Sequence, residues 1–319
     1  MRVIAAHADW SADPRKRWVC VAAREGGRGW RAFAPRPVGE PTALVASLLA
    51  EGGPGAALAL GLDLPLGVPR GWVEAARRPE RDFPDFLRGL APDAPFWRVA
   101  ATLDAVSPEA PFYPMRGARG MTRAAHAAAL GLAGPGGLSR LCDRATAERP
   151  AGAPLFWTLG ANQTGKAAIS AWRGWLAPAL AGGAALDPWP FAGARFAALL
   201  APGRAALAEV YPAEAMRHLG VRLAGSKRDR EARRGAAGAL REAMARARVE
   251  PDGALAAAVA DGFGRDAAGE DRFDCVVGLL GLVGVLDGAR EDGVPDDPWV
   301  RRWEGWVLGQ TSLPGGYPP

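Results

Sequence analysis

The sequence predicts an α/β protein, and three observations carry that reading. Two short apolar runs each close on a lone aspartate, Val3–Asp9 near the start of the chain and Ala57–Asp63 further on. Near-continuous apolar runs bounded by turn residues are the pattern of buried strands in parallel sheets. The third observation is a pair of helix-like segments at 41–51 and 271–286, whose apolar residues recur at helical spacing.

Taken in order, residues 2–8, 18–24 and 30–34 read as strands, with Asp13-Pro14 and Glu25-Gly26-Gly27 as the turns between them. Residues 41–51 predict a helix with Leu44, Val45, Leu48 and Leu49 on one face and Gly52-Gly53 as its stop. The strand ending at Asp63 follows, closed by Leu64-Pro65-Leu66-Gly67. From Val68 to about Pro202 the pattern loosens into a Pro-, Gly- and Trp-rich stretch with helix-like pieces and no strand rhythm. The expected organisation is a core of residues 1–69 and 204–319 carrying a mostly helical insertion, 70–203, after the fourth strand. Residues 205–212 read as another strand ending, with Glu209 inside it. Residues 227–248 read as one strongly charged helix with a solvated side.

With 49% hydrophobic residues among 319, the chain can bury a substantial core and is not of the disordered class. The longest apolar stretch, Cys275 to Leu286, is far short of the roughly 20 residues a membrane helix needs. No basic segment leads into an apolar run and cleavage site at the start, so a cytoplasmic location is expected. Cys20, Cys142 and Cys275 are too scattered for a zinc site or a disulfide framework. A net charge of +5 suits an anionic partner. The basic residues are almost all arginine: lysine occurs only at Lys16, Lys166 and Lys227, and asparagine only at Asn162.

A carboxylate at the end of a buried strand lies at the sheet rim, where α/β proteins place their ligands. Asp9 and Asp63 are therefore candidate ligands for a shared divalent metal, against the plainer reading that each caps the segment after it. Asp271 and Asp274 open the last helix three residues apart, on one face. Gly278 and Gly281 follow Asp274 at i+4 and i+7, where glycine lets the helix approach the sheet and brings the Asp274 carboxylate to the strand ends. Asp271 lies less squarely on that face, and both acids also suit the positive end of a helix. Glu209 is a further candidate ligand or base, or a strand-edge glutamate facing water. His7 shares the strand parity of Asp9, as a proton-transfer group or a packed core histidine.

Asp9-Trp10, the run from Gly61 to Gly67, the run from Glu209 to Glu214, Lys227, Asp271-x-x-Asp274 and Glu304-Gly305-Trp306 stand in an order that resembles a family of predicted ribonuclease-H-like nucleases, domain of unknown function 429. The opening of the last helix is similar to that of Holliday-junction resolvases in the ribonuclease H superfamily. The resemblance implies a mixed sheet flanked by helices. It further implies acids from the first strand, the fourth strand and the last helix holding two Mg²⁺ or Mn²⁺ ions, about 4 Å apart, for phosphodiester hydrolysis. Asp9, Asp63, Asp274 and Glu209 are then the expected catalytic residues, with Asp9, Asp63, Asp274 and Asp271 as the expected metal ligands and Lys227 toward a nucleic-acid substrate.

Residues 160–166 spell G-x-x-x-x-G-K after apolar Leu155-Phe156-Trp157, the outline of a phosphate-binding loop. Ala167 stands where Ser or Thr would supply the hydroxyl for Mg²⁺. The rare residues Asn162, Gln163 and Lys166 gather here, so the expectation is a polar loop contacting the anionic substrate. Two alternatives stay open: a nucleotide-binding protein using this loop, and a non-catalytic nucleic-acid-binding or scaffold protein. The tryptophans at 172 and 175 read as core and not as a base-stacking platform.

Overall fold

The computed structural model describes residues 1–24, 26, 29–117, 120–159 and 164–315. The first apolar run forms β1 (Val3–Asp9), buried until its last residue. A short 3-10 turn capped by the Asp13 carboxylate leads to β2 (Trp18–Arg24), which pairs antiparallel with β1 and with β3 (Trp30–Pro37). Helix α1 (Pro41–Gly52) follows, with proline in its first turn where the missing N–H is harmless. Strand β4 (Ala57–Asp63) then lies parallel to β1, and the register sets Asp63 opposite Asp9.

The chain continues through five short helices, α2 (Arg70–Ala75), α3 (Phe83–Gly89), α4 (Arg123–Ala129), α5 (Thr164–Ala171) and α6 (Ala177–Ala181). It re-enters the sheet as β5 (Leu186–Pro188) and β6 (Ala205–Glu209). Helices α7 (Pro212–Leu219), α8 (Arg230–Gly235) and α9 (Ala237–Arg246) come next, then β7 (Val249–Pro251), α10 (Gly253–Asp261) and α11 (Gly269–Leu286). Among the described residues this is an α/β fold with a mixed seven-stranded sheet, ordered β5-β6-β4-β1-β2-β3-β7. No helix among them is long and apolar enough to cross a membrane.

Two compact units divide the chain. One comprises Met1–Leu64, Ala185–Gly293 and Val307–Gly309 and carries the whole sheet; the other comprises Pro65–Ala184, Val294–Trp306 and the segment from Gln310. The boundary expected at 203 falls at 184, because β5 pairs with β6 and holds 185–203 in the sheet unit. Three-residue strands such as β5 and β7 are too short to show alternation, so neither was legible. The single charged helix expected over 227–248 is two helices broken at Ala236, and Lys227 precedes both. Its expected solvated side is interrupted by Arg233, which is buried and donates to the carbonyls of Gly262, Gly264 and Lys227.

Helices α1 and α11 cover opposite faces of the sheet. A Cβ on Gly52 of α1 would meet the Ile4 side chain, whereas one on Gly278 of α11 would lie 2.3 Å from the His7 ring. Ile4 and His7 differ in strand parity, so they point to different faces. Gly278 therefore admits the helix onto β1 as expected. Gly281 serves a different neighbour, since its Cβ would lie 2.7 Å from Ala215 of α7 and not against the sheet.

The second unit is built around aromatic rings. Trp72, Phe86, Phe96, Phe112, Phe156 and Trp172 form a connected cluster with contacting ring centroids 5.0 to 6.5 Å apart. Trp172 and Trp175 are both core, as expected. Its regular helices are only five to eight residues long, because proline and glycine interrupt the pattern so often. Buried Glu304 binds two helical starts at once, accepting from the backbone N–H of Arg70 at 2.8 Å and of Leu141 at 3.0 Å. Gly67, at φ +146°, packs its backbone onto the Glu304 carbonyl, where a Cβ would intrude to 2.1 Å. The segments 61–67 and 304–306, linked in the sequence only by resemblance, thus meet at Gly67 and Glu304.

A methyl placed on Gly278 must displace a buried imidazole, so Gly278→Ala should cost about 1–3 kcal/mol in chemical denaturation. Gly284→Ala, on the same helix with open space around its Cβ, should be neutral or stabilising by up to about 1 kcal/mol. Equal costs at the two positions would show that Gly278 does not set the helix–sheet spacing.

Candidate functional site

The site grows from the ends of β1 and β4. Parallel register places Asp9 and Asp63 side by side, and alternation points both to the face that α11 covers. The first turn of α11 adds Asp271 and Asp274. The helix is fixed there by the Gly278–His7 contact and by Cys275, which hydrogen-bonds the Asp9 backbone. Asp274 is buried, while Asp9 and Asp63 are largely desolvated yet keep a solvent-facing edge.

Acids gathered in this way resist ionisation. Burial first, then the charges of Asp63, Asp274 and Asp271, push the Asp9 carboxyl well above the usual range. Burial and Asp274 raise Asp63 to about 7, opposed by Lys227 and by a hydrogen bond from Asp9. Burial lifts Asp271 to about 6 and raises Asp274 as well, although Lys227 pulls the latter down.

The cation in contact with Asp274 is Lys227, whose Nζ lies 2.5 Å from Asp274 Oδ2. Burial works against its charge, but Asp274 and Asp63 together raise its pKa. Lys16 also bears on the cluster, lowering Asp271. Two of the three lysines in the chain therefore act on these acids, a signal that lay in lysine rarity itself. Arg233 was not singled out from the sequence, yet it holds the Lys227 carbonyl and so fixes where that side chain starts.

Glu209 is fully buried, which excludes a strand-edge residue facing water. The register pairs it with Leu62, one position before Asp63, so alternation directs it to the other face of the sheet. Its charge still reaches Asp63 and raises it. His7 is the packed histidine. It is fully buried, its Nε2 lies 3.3 Å from the Val210 carbonyl, and burial lowers its pKa to about 4.

The donor set fits a hard divalent cation, since every candidate ligand is a carboxylate oxygen. Asp274 Oδ1 and Asp271 Oδ2 are buried without a hydrogen-bond partner, which is the state of an acceptor made for something the protein itself does not supply. Among the described residues of the sheet unit, however, no three ligating side chains bring their ligand atoms within 4.8 Å of one another. The ammonium of Lys227 stands on Asp274 instead.

Of the loop at 160–166, Asn162 and Gln163 lie outside the described residues. Lys166 occupies the first turn of α5. Gly165 has a packing reason of its own, because a Cβ there would lie 2.3 Å from the Leu155 carbonyl. The apolar residues before the loop form no sheet strand among the described residues; Trp157 makes a single bridge to Tyr113. A phosphate-binding loop that leaves a sheet strand is therefore not built here.

Groups with raised native pKa values bind protons that they release on unfolding, so they lose stability as pH rises. His7 acts in the opposite sense, and its contribution is complete above its ordinary value of 6.5. Between pH 6.5 and about 8 the metal-free chain should therefore become less stable as pH rises. Asp63→Asn should flatten that slope, and urea midpoints across this range would show it. A slope that stays unchanged in the variant would mean that Asp63 ionises freely.

No family model, curated protein or solved structure matches this chain.

Proposed function

We propose that this chain is a divalent-metal-dependent nuclease with a ribonuclease-H-like sheet, hydrolysing phosphodiester bonds in nucleic acid. The observation that carries this reading is the in-register pairing of Asp9 with Asp63 beside Asp274, three desolvated carboxyls at one sheet rim. Structural acids are seldom gathered at such electrostatic cost without a cation to receive. Asp9, Asp63 and Asp274 would hold Mg²⁺ or Mn²⁺, with Asp271 at the margin. Bound there, the ions would act as Lewis acids on the phosphoryl group and make water nucleophilic at neutral pH.

The residues of the chain have separate tasks in this reading. A carboxyl must be ionised to hold a cation, so with Asp9 and Asp63 raised by burial and by neighbouring acids, metal binding would strengthen as pH rises. His7, buried and neutral, seats α11 and moves no proton. Glu209 reinforces the negative field behind Asp63. Lys227 supplies a contact to the anionic backbone at the acid rim, in keeping with the net positive charge, and Lys166 of the second unit is a separate candidate substrate contact, with Asn162 and Gln163 beside it in the sequence.

One observation favours a second reading. The Lys227–Asp274 ion pair satisfies part of the acid cluster with no metal at all, as a catalytically silent nucleic-acid-binding protein of the same fold would require.

Mn²⁺ should raise the melting temperature of the purified chain, and Asp63→Asn should remove that shift. With Mg²⁺ or Mn²⁺ present, some phosphodiester substrate should be cleaved. Asp9→Asn should abolish cleavage with the circular dichroism spectrum unchanged. Lys166→Ala should weaken substrate binding while sparing the Mn²⁺ shift. Failure on single-stranded, duplex, hybrid and branched substrates alike would decide for the binding protein.

A further inference from the structure

We propose that Lys227 is a built-in counter-cation, holding the cation position on Asp274 until a divalent ion displaces its ammonium. This rests on the metal-centre reading above and adds a device by which the centre is kept ready. Four observations support it. Lys227 Nζ makes a direct ion pair with Asp274 Oδ2, and the Lys227 side chain is only 31% exposed. Its charge acts on Asp9 and Asp63 as well as Asp274, so one ammonium bears on three of the four acids. It leaves Asp274 Oδ1 buried and without a partner, so the ion pair does not complete the acid it binds. Finally, the backbone of Lys227 is pinned through the buried Arg233, which also holds the Gly262 and Gly264 carbonyls, both at 2.8 Å.

Those facts describe a fixed base with a movable tip. The four-carbon stem can swing while the backbone stays in place, and a compact ammonium exchanges with a small cation more readily than a planar guanidinium would. The Lys227 ammonium brings one positive charge to the Asp274 oxygens, whereas a divalent ion would supply two at the same place. Without the ammonium the acids would repel α11 from the strand ends. With it, the carboxyls stay gathered, and Lys227 is freed near the incoming phosphate only once the ion has arrived.

The chain has three lysines, so isotopic labelling of lysine gives three side-chain signals in nuclear magnetic resonance. On titration of the native chain with Mg²⁺, one signal should leave its restrained position for a solvent-averaged one, in step with binding measured by calorimetry. Lys227→Met should bind Mn²⁺ roughly tenfold more tightly than the native chain, and Lys227→Arg, whose guanidinium exchanges less readily, should bind it no more tightly than the native chain. Lysine signals that stay still while Mg²⁺ binds would overturn the proposal, as would a Lys227→Met chain that binds Mn²⁺ no more tightly. If that variant does not fold, the signals of the native chain decide alone. Absence of metal binding in both chains would sink the metal centre and this proposal together. Displacement of Lys227 without cleavage of any substrate would sink only the nuclease reading.

Discussion

Contact between the imidazole of His7 and the backbone of α11 at Gly278 sets the geometry of the whole rim. The helix can lie that close to β1 only because residue 278 has no side chain and because His7 is uncharged. A protonated ring in this fully buried position would carry an unpaired charge beneath the helix. With the helix seated, its first turn is delivered to the ends of β1 and β4, and Cys275 ties the next turn to Asp9. A small packing decision four residues away thus determines whether Asp274 reaches Asp9 and Asp63 at all.

Electrostatics at the rim run against folding. Four carboxyls drawn from three elements meet where water is scarce, and the chain tolerates them with raised pKa values and with the Lys227 ammonium set on Asp274. Sites of this kind are held by the scaffold and do not hold it, which is the usual relation between function and stability. The sheet supplies the necessary rigidity, since β1 and β4 are buried almost throughout and covered on both faces.

Much of this was legible in the sequence. The long strands and the first helix announced themselves through apolar runs and turn residues, because burial on both faces leaves that signature. The acids at 9, 63 and 274 were visible as charges at the edges of such runs. Less was legible where tertiary context decides. The strands at 186–188 and 249–251 are too short to carry a period, and Gly235 and Gly238 around the break at Ala236 do not stand out in a chain so rich in glycine. Glu209 looked like a companion of Asp63, yet parallel register pairs it with Leu62, and register cannot be read from one strand alone. Nor could the sequence reveal that Gly281 faces Ala215, since which neighbour a helical glycine admits depends on the packing of a third element.

Glu304 has a consequence for the order in which the chain folds. The carboxylate that completes the starts of α2 and of the turn at Leu141–Asp143 is supplied from more than 160 positions downstream. The carbonyl of the preceding Trp303 accepts from Val68 in the same way. As the chain emerges from the ribosome, the aromatic cluster can collapse early, but these polar groups cannot find their partners until residues 303–304 have been made. The second unit therefore closes late, with its N–H groups left to water in the interval. Such long-range closure slows folding and extends the time for which the apolar rings remain open to competing contacts.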